Sequence, residues 1–215
     1  NPTGGVLSLG DVKELGELAR RHNLLILSDE IYTEIYYGEP AASMLDVPDI
    51  LDHLLLVNGF SKTYAMTGWR LGYAVIPAHI FPAVELYLNI TLSSTSTFTQ
   101  LAALEAFTDE TKVAIAKMVQ EFRVRRDFFV DGLNAIPGIR CLKPLGAFYL
   151  FPNFSAFGKS SKEVADRLLN EGGVAALPGT AFGHYGEGYL RFSFANSLAN
   201  IETAVNRIEK FVKTL

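Results

Sequence analysis

Chemically capable side chains follow two apolar runs of the sequence, close to the point where each run ends. Asp29 comes two residues after the first run, and Ser61 and Lys62 come shortly after the second. Arg70 lies eight residues beyond Lys62. A primary amine can condense with a carbonyl group or act as a base, and a guanidinium binds phosphate or carboxylate in a bidentate manner. Alone, such an aspartate more often caps a turn, and such a lysine is usually a solvated charge. Together they indicate an acid, an amine and a guanidinium around one crevice.

The two apolar runs, residues 24–27 and 54–57, are continuous rather than alternating. Continuous runs are typical of strands that are buried on both faces of a parallel sheet. Ligands of open α/β sheets bind at the carboxyl ends of the strands. The positions of Asp29 and Lys62 therefore fit a binding site at the edge of such a sheet.

The surrounding segments predict an alternation of helices and strands, which is an α/β fold. Ser8 is a candidate N-cap for a helix that ends near His22, and residues 71–76 predict a third strand. Further helices are expected around residues 79–89 and 98–107.

The pattern changes from about Asp109, where a long helix is predicted to run to Asn134 and to stop before Pro137. The segments beyond it predict a smaller α+β domain. Its predicted elements are short strands over 148–151, 174–177 and 189–194, a helix over 162–170, and a last helix from about Ile201 with Asn200 as its cap.

The composition excludes several classes of protein. Of the 215 residues, 49% are hydrophobic and 20% are charged, which excludes disorder. Nineteen Lys and Arg stand against 23 Asp and Glu, so no basic surplus points to nucleic acid or an anionic membrane. The single cysteine, Cys141, favours a reducing compartment, and we expect a cytoplasmic protein. The four histidines show no metal-ligand spacing, so no metal site is predicted.

Six segments, in order along the chain, closely resemble the class I and II pyridoxal phosphate (PLP) aminotransferases of fold type I. They are Asn1-Pro2-Thr3-Gly4, residues 28–32 (SDEIY), residues 61–72 (SKTYAMTGWRLG), residues 144–149 (PLGAFY), residues 178–183 (PGTAFG) and residues 188–195 (GYLRFSFA). The resemblance implies the C-terminal part of a fold type I large domain, with a mostly parallel sheet, over 1–114. It also implies a small α+β domain over 115–215.

The resemblance assigns the central chemistry to Lys62 and Asp29. Lys62 would form the aldimine with PLP and then act as the base at the substrate α-carbon. Asp29 would pair with the pyridine nitrogen and keep it protonated. An ordinary cap or ion pair is the alternative for Asp29.

The same resemblance assigns binding roles to five other residues. Tyr32 and Asn1 would hydrogen-bond the phenolic oxygen of PLP, and Ser61 and Arg70 would belong to the phosphate cup. Arg191 would bind the substrate α-carboxylate, with the Asn1 side chain close to the substrate. A fixed intramolecular salt bridge is the alternative for Arg191, since an arginine within an apolar strand needs a partner.

The implied activity is transfer of an amino group between an amino acid and a 2-oxo acid, by a homodimer. The sequence begins at Asn1 and has no methionine before Met44, so we interpret it as part of a longer chain. On its own it would have an exposed sheet edge and little or no activity. Three alternatives stay open. One is a PLP-dependent carbon–sulfur lyase or synthase on the same fold, and another is the ligand-binding domain of a transcription regulator. The third is a truncated, catalytically silent remnant.

Overall fold

The fold is described from a computed structural model that covers residues 1–215. The chain divides into two compact units. One unit contains Val6–Lys117, and the other contains Met118–Leu215 together with Asn1–Gly5. None of the helices has the length and apolar character that crossing a membrane would require.

The Val6–Lys117 unit contains a three-stranded sheet in the order β1-β2-β3, with β1 at Ile26–Asp29, β2 at Leu54–Gly59 and β3 at Gly72–Val75. β1 and β2 are parallel, in a register that places Asp29 opposite Val57. β3 is antiparallel to β2. The connection between them, residues 60–71, contains turns and a short 3-10 helix at Thr67–Trp69, whereas parallel strands are usually joined through an α-helix. The predicted parallel sheet is thus correct for one of the two pairs of strands.

One face of this sheet carries the core of the unit. Helix α1 spans Leu9–His22, and its N-cap is Ser8, as predicted, with Asp11 completing a capping box. A buried apolar cluster joins α1 to the sheet, consisting of Val12, Met44, Val47, Ile50, Leu54 and Leu56. On β1 the expected burial of both faces is wrong, because the side chain of Leu27 remains 69% exposed. The cluster covers only the face on which Ile26 packs.

Three helical segments follow the sheet. They are α2 at Phe81–Thr91, α3 at Thr97–Ala102 and a 3-10 turn at Ala103–Phe107. The turn packs Ala103 and Ala106 against Phe60, which follows β2. By contrast, α2 contains no buried residue, although most of its side chains are apolar.

The long helix α4 spans Asp109–Asn134, as predicted. In the Met118–Leu215 unit it is followed by an antiparallel sheet in the order β4-β6-β5. The strands are β4 at Tyr149–Leu150, β5 at Leu177–Pro178 and β6 at Leu190–Ser193. The two remaining helices are α5 at Ser161–Asn170 and α6 at Leu198–Val212.

The predicted start of the last helix is wrong by three residues. The N-cap of α6 is Ser197, whose hydroxyl accepts a hydrogen bond from the Asn200 N–H, so Asn200 lies inside the first turn. Both Ser and Asn are favoured at N-caps, and the two residues lie only three positions apart. Residue type alone therefore does not decide between them, and the backbone conformation does.

Aromatic side chains dominate the core of this second unit. Phe192 of β6 contacts Phe129 of α4 edge-to-face and also lies near Phe154. Leu168 of α5 and Ile208 of α6 are fully buried. The two helices and α4 therefore share one core with the sheet, which fixes the strand that carries Arg191.

Candidate active site

The parallel pairing of β1 and β2 brings the predicted catalytic lysine and one of the predicted cofactor-binding residues to the same edge of the sheet. Asp29 ends β1, and the next residue extends the ladder because the Glu30 N–H donates to the Val57 carbonyl at 2.9 Å. β2 ends at Gly59, and Ser61 and Lys62 follow it directly. Because the strands are parallel, the acid and the amine both lie beyond their carboxyl ends.

Asp29 and Tyr32 belong to the turn that leaves β1. The Asp29 carboxylate is exposed and accepts a hydrogen bond from the Ile31 N–H at 3.2 Å, so the capping contact considered as the alternative is present. Tyr32 is half-buried, and its carbonyl accepts from the Ile35 N–H at 2.8 Å. The hydrogen bonds of this turn fix the backbone positions of Asp29 and Tyr32.

Lys62 lies in a tightly bonded connection between β2 and β3. The Phe60 N–H donates to the Leu71 carbonyl at 3.2 Å, and the Ala65 N–H donates to the Lys62 carbonyl at 3.2 Å. Ala65 and Arg70 both have φ of +53°, in the left-handed region that non-glycine residues rarely adopt. Such backbone strain persists only where the surroundings impose it, and it concentrates at functional sites. Lys62 itself is half-buried.

Ser61 and Arg70 occupy the two ends of the same connection. Ser61 is half-buried beside Lys62, and Arg70 is exposed. One N–H of the Arg70 guanidinium donates to the Thr67 carbonyl at 2.9 Å, which holds the side chain close to its own turn. A guanidinium has several donors in a planar fork, so this single bond is compatible with binding an anion.

Aromatic side chains pack against this connection between β2 and β3. Phe60 contacts the rings of Tyr64 and Phe107 at centroid distances of 5.2 and 5.8 Å. Burial, reinforced by Tyr73 and Glu34, raises the pKa of Tyr64, and burial with Glu30 and Glu34 raises the pKa of Tyr73. These two phenols are therefore protonated at neutral pH and serve as packing groups.

In the Met118–Leu215 unit the structure joins the two predicted substrate-binding residues directly. Arg191 of β6 donates a hydrogen bond from Nη1 to Oδ1 of Asn1 at 2.8 Å. Leu190 and Phe192, its neighbours on the strand, are buried in the core, so Arg191 projects from the opposite face.

Two aromatic rings hold the Arg191 guanidinium. Its Cζ lies 4.3 Å from the centroid of Tyr149 and 4.7 Å from the centroid of Phe182, within the range of cation–π contacts. These partners and the Asn1 amide are all neutral, unlike the salt bridge considered as the alternative. Neither ring is predicted from the sequence, although each lies in a segment that resembles the family, 144–149 for Tyr149 and 178–183 for Phe182.

Neither a metal centre nor a reactive thiol accompanies these groups. No cluster of three or more His, Cys, Asp or Glu side chains is arranged to hold a metal ion. Burial raises the pKa of Cys141 to about 12, against a smaller opposing effect of a backbone hydrogen bond with Phe151. The thiol is therefore protonated and unreactive at neutral pH.

This combination of fold and residues has close counterparts among known proteins. The family model described as "Aminotransferase class I and II" matches residues 1–208. An aspartate aminotransferase of Pyrococcus horikoshii is 40% identical over 211 residues, which cover 98% of this chain and 54% of that protein.

Two solved structures agree with this. One is an aromatic aminotransferase from Pyrococcus horikoshii, with a TM-score of 0.95 and 36% identity, covering 100% of this chain and 58% of that one. The other is an aspartate aminotransferase from Thermus thermophilus with maleate, with a TM-score of 0.91 and 36% identity, covering 98% and 54%.

The fold is thus that of the PLP-dependent aminotransferases, mixed α/β with a second, smaller α+β unit. The chain belongs to the class I and II aminotransferase family. It spans about half the length of the relatives that it matches.

Proposed function

We propose that this chain carries cofactor- and substrate-binding groups of a PLP-dependent aminotransferase, which moves an amino group between an amino acid and a 2-oxo acid. The observation that supports this best is the parallel register of β1 and β2, because it brings Asp29 and Lys62 to one edge of the sheet. Family membership adds the reaction class. In this proposal residues 1–114 contribute part of the cofactor-binding domain and residues 115–215 form the small domain.

The residues at the sheet edge fit PLP by their chemistry. The cofactor presents an aldehyde, a basic ring nitrogen, a phenolic oxygen and a phosphate. In the same unit the chain offers the Lys62 amine for the aldehyde, the Asp29 carboxylate for the ring nitrogen and the Tyr32 hydroxyl for the phenolic oxygen. Ser61 and Arg70, at the two ends of the strained connection, offer a hydroxyl and a guanidinium for the phosphate.

When bound, PLP supplies a ring that accepts electron density from the α-carbon of the substrate. The chain supplies the proton transfers and the binding. Lys62 Nζ would take the proton from the α-carbon of the substrate and would be the donor that later returns a proton, as a half-buried amine that follows a rigid strand can do. The negative charge of Asp29 would favour the protonated ring nitrogen.

Arg191 and Asn1 are proposed to bind the α-carboxylate of the substrate. The planar guanidinium matches a carboxylate in a bidentate manner, and Asn1 adds an amide donor beside it. Asn1 is also the proposed donor to the phenolic oxygen of PLP. Arg191 selects for the α-carboxylate and does not discriminate between substrate side chains. This agrees with relatives that are named for aspartate and for aromatic substrates.

We further propose that the whole protein is a homodimer, and that residues 1–215 alone turn over slowly or not at all. The relatives that carry the activity are nearly twice as long as this chain. In addition, α2 is an apolar helix that has no buried residue. Ordinary steady-state turnover by these 215 residues would contradict the second part.

A single-turnover product analysis tests the reaction type. The chain is loaded with PLP and mixed with excess amino acid, and the 2-oxo acid and ammonia are measured by mass spectrometry. Transfer predicts slow formation of the oxo acid, up to one per bound cofactor, without ammonia, and none with Lys62→Ala. Ammonia released in step with pyruvate would instead indicate elimination and contradict the proposal.

A further inference from the structure

One loop contacts both Arg191 and the short segment that begins with Asn1, through different residues. Residues 144–149 connect the segment after α4 to β4. At the start of this loop, the N–H groups of Leu145 and Gly146 both donate to the Gly4 carbonyl, at 2.8 and 3.0 Å. Gly4 has φ of +73°, and a Cβ there would collide with Pro144. The short segment from Asn1 to Gly4 is therefore held against this loop.

The other end of the loop reaches Arg191. Tyr149 ends the loop and begins β4, and its buried ring lies 4.3 Å from the Arg191 guanidinium carbon. Between the two ends, Ala147 is buried and has φ of +57°. A non-glycine residue rarely adopts this conformation, which persists only where neighbouring contacts impose it. The loop is consequently a strained element held in one conformation.

A buried arginine is hydrogen-bonded to the first residue of the loop. Arg126 of α4 is only 5% exposed, and its Nη1 donates to the Pro144 carbonyl at 3.0 Å. Asp127 neutralises the guanidinium, with Nε and Nη2 each 2.8 Å from its Oδ1, and Lys143 lies 3.3 Å from the same oxygen. A buried guanidinium is costly without such partners, so these contacts are what allow Arg126 to be buried.

We propose that Arg126 is a positioning residue for the Asn1–Arg191 pair. By fixing the Pro144 carbonyl it fixes the loop, and the loop places Asn1 through Gly4 and the Arg191 guanidinium through Tyr149. That this placement favours substrate binding rests on the proposed function, in which Arg191 binds the substrate carboxylate. The placement of the pair by Arg126 does not depend on that role.

The test measures the pair directly, in the chain without cofactor or substrate. Arg126→Met removes the charge and the donors, and Arg126→Lys keeps the charge but loses the planar fork. Arg125→Met is the matched control, because Arg125 is the neighbouring arginine and contacts Glu121, in a longer ion pair at 3.6 Å, and the ring of Phe122 rather than the Pro144 carbonyl. The rate of amide hydrogen exchange is measured at Leu145 and Gly146. The chemical shift of the Arg191 Nε–H group is measured by ¹H–¹⁵N NMR.

Positioning predicts a local response. Arg126→Met should speed exchange at Leu145 and Gly146 by about tenfold, the factor that corresponds to ~1.4 kcal/mol, and shift the Arg191 Nε–H signal towards that of an exposed arginine. Arg126→Lys should lie between Arg126→Met and the wild type in both measurements. Arg125→Met should leave both measurements unchanged.

General destabilisation is separated by a second variant. Leu168→Ala removes a fully buried side chain from α5 and lowers stability without touching the loop. If Leu168→Ala shifts the Arg191 signal as much as Arg126→Met does, or if Arg126→Met leaves that signal unchanged in a folded chain, the proposal is overturned. Should Arg126→Met fail to fold, the same comparison is made with Arg126→Lys.

A titration with maleate separates this inference from the proposed function. In the wild type, maleate should shift the Arg191 Nε–H signal, and in Arg126→Met it should bind at least about tenfold more weakly. If maleate leaves the wild-type signal unchanged, the carboxylate role of Arg191 fails, while the ligand-free comparison still decides whether Arg126 positions the pair.

Discussion

At the scale of single residues, the arginine of β6 shows how a cation can be held ready for an anion. Arg191 contacts an amide oxygen and two aromatic rings, which orient the guanidinium without neutralising it. A carboxylate partner would compete with an incoming carboxylate, and these neutral groups do not. The same rings explain why an arginine is tolerated on a strand between two buried apolar side chains.

Asp127 makes the best-supported pH-dependent contribution among single residues. Burial alone would raise the pKa of its carboxyl group, but the hydrogen bonds and charges of Arg126 and Lys143 outweigh burial and lower the pKa. A lowered folded-state pKa stabilises the fold above about pH 4, the usual value for an aspartate, and this stabilisation is lost as the pH falls through the folded-state pKa.

We therefore expect Asp127→Asn to cost about 0.5–1 kcal/mol at pH 7, a value reduced because the carboxylate is partly exposed. The difference from the wild type should shrink below about pH 4. Urea unfolding at pH 7 and at about pH 3 measures it, with Asp109→Asn, whose partner Lys112 is highly exposed, as the control. An equal loss at both pH values would contradict the assignment.

Sequence alone places the strand-end residues well and their long-range partners poorly. Asp29 and Lys62 follow apolar runs, so local pattern is enough to predict their shared edge. The contacts of Arg191 with Phe182, and of Arg126 with Pro144, join residues that only the folded sheet and helix bring together. No spacing in the sequence encodes them.

At the scale of elements, caps and connections decide the differences between expectation and structure. Ser8 and the long helix ending at Asn134 follow directly from local signals. β3 reverses against β2, and the chain between them forms turns rather than a crossover α-helix, which a run of apolar residues does not reveal. The start of α6 depends on which of two good caps has the extended backbone, and that residue is Ser197.

The α6 cap provides a direct test at this scale. Ser197→Ala should destabilise the fold by about 1 kcal/mol, because it leaves the Asn200 N–H without its hydroxyl partner. Asn200→Ala should change stability by no more than about 0.5 kcal/mol, since the side chain is exposed inside the first turn. Thermal and urea unfolding of the two variants compare them, and a larger loss for Asn200→Ala would return the cap to that residue.

At the scale of the whole molecule, the Val6–Lys117 unit exposes several large apolar side chains on and around α2. α2 and the following residues line an open groove of about 600 Å³, bounded by Val75, Phe81, Leu88 and Leu92 among others. Leu86 and Ile90 on the same helix are 60% and 74% exposed. Contiguous apolar surface of this kind marks an interaction surface or a site of aggregation.

The chain should therefore bind the dye ANS and self-associate at micromolar concentration. The double variant Leu86→Lys and Ile90→Lys should reduce both effects and leave the unfolding midpoint nearly unchanged, because neither side chain is buried. Leu142→Lys, at an exposed leucine of the other unit, is the control and should change neither. Dye fluorescence and sedimentation velocity measure the outcome, and unaltered association of the double variant would show that α2 is not the surface responsible.

The most direct test of the account is to find which amine of the chain reacts with PLP. The purified chain is incubated with PLP and reduced with borohydride, and the modified residue is mapped by mass spectrometry. We predict one adduct per chain at Lys62, abolished by Lys62→Ala and retained by Lys112→Ala, an exposed lysine of the same unit. Labelling scattered over several lysines, or unaffected by Lys62→Ala, would contradict the assignment of Lys62 as the cofactor-binding residue.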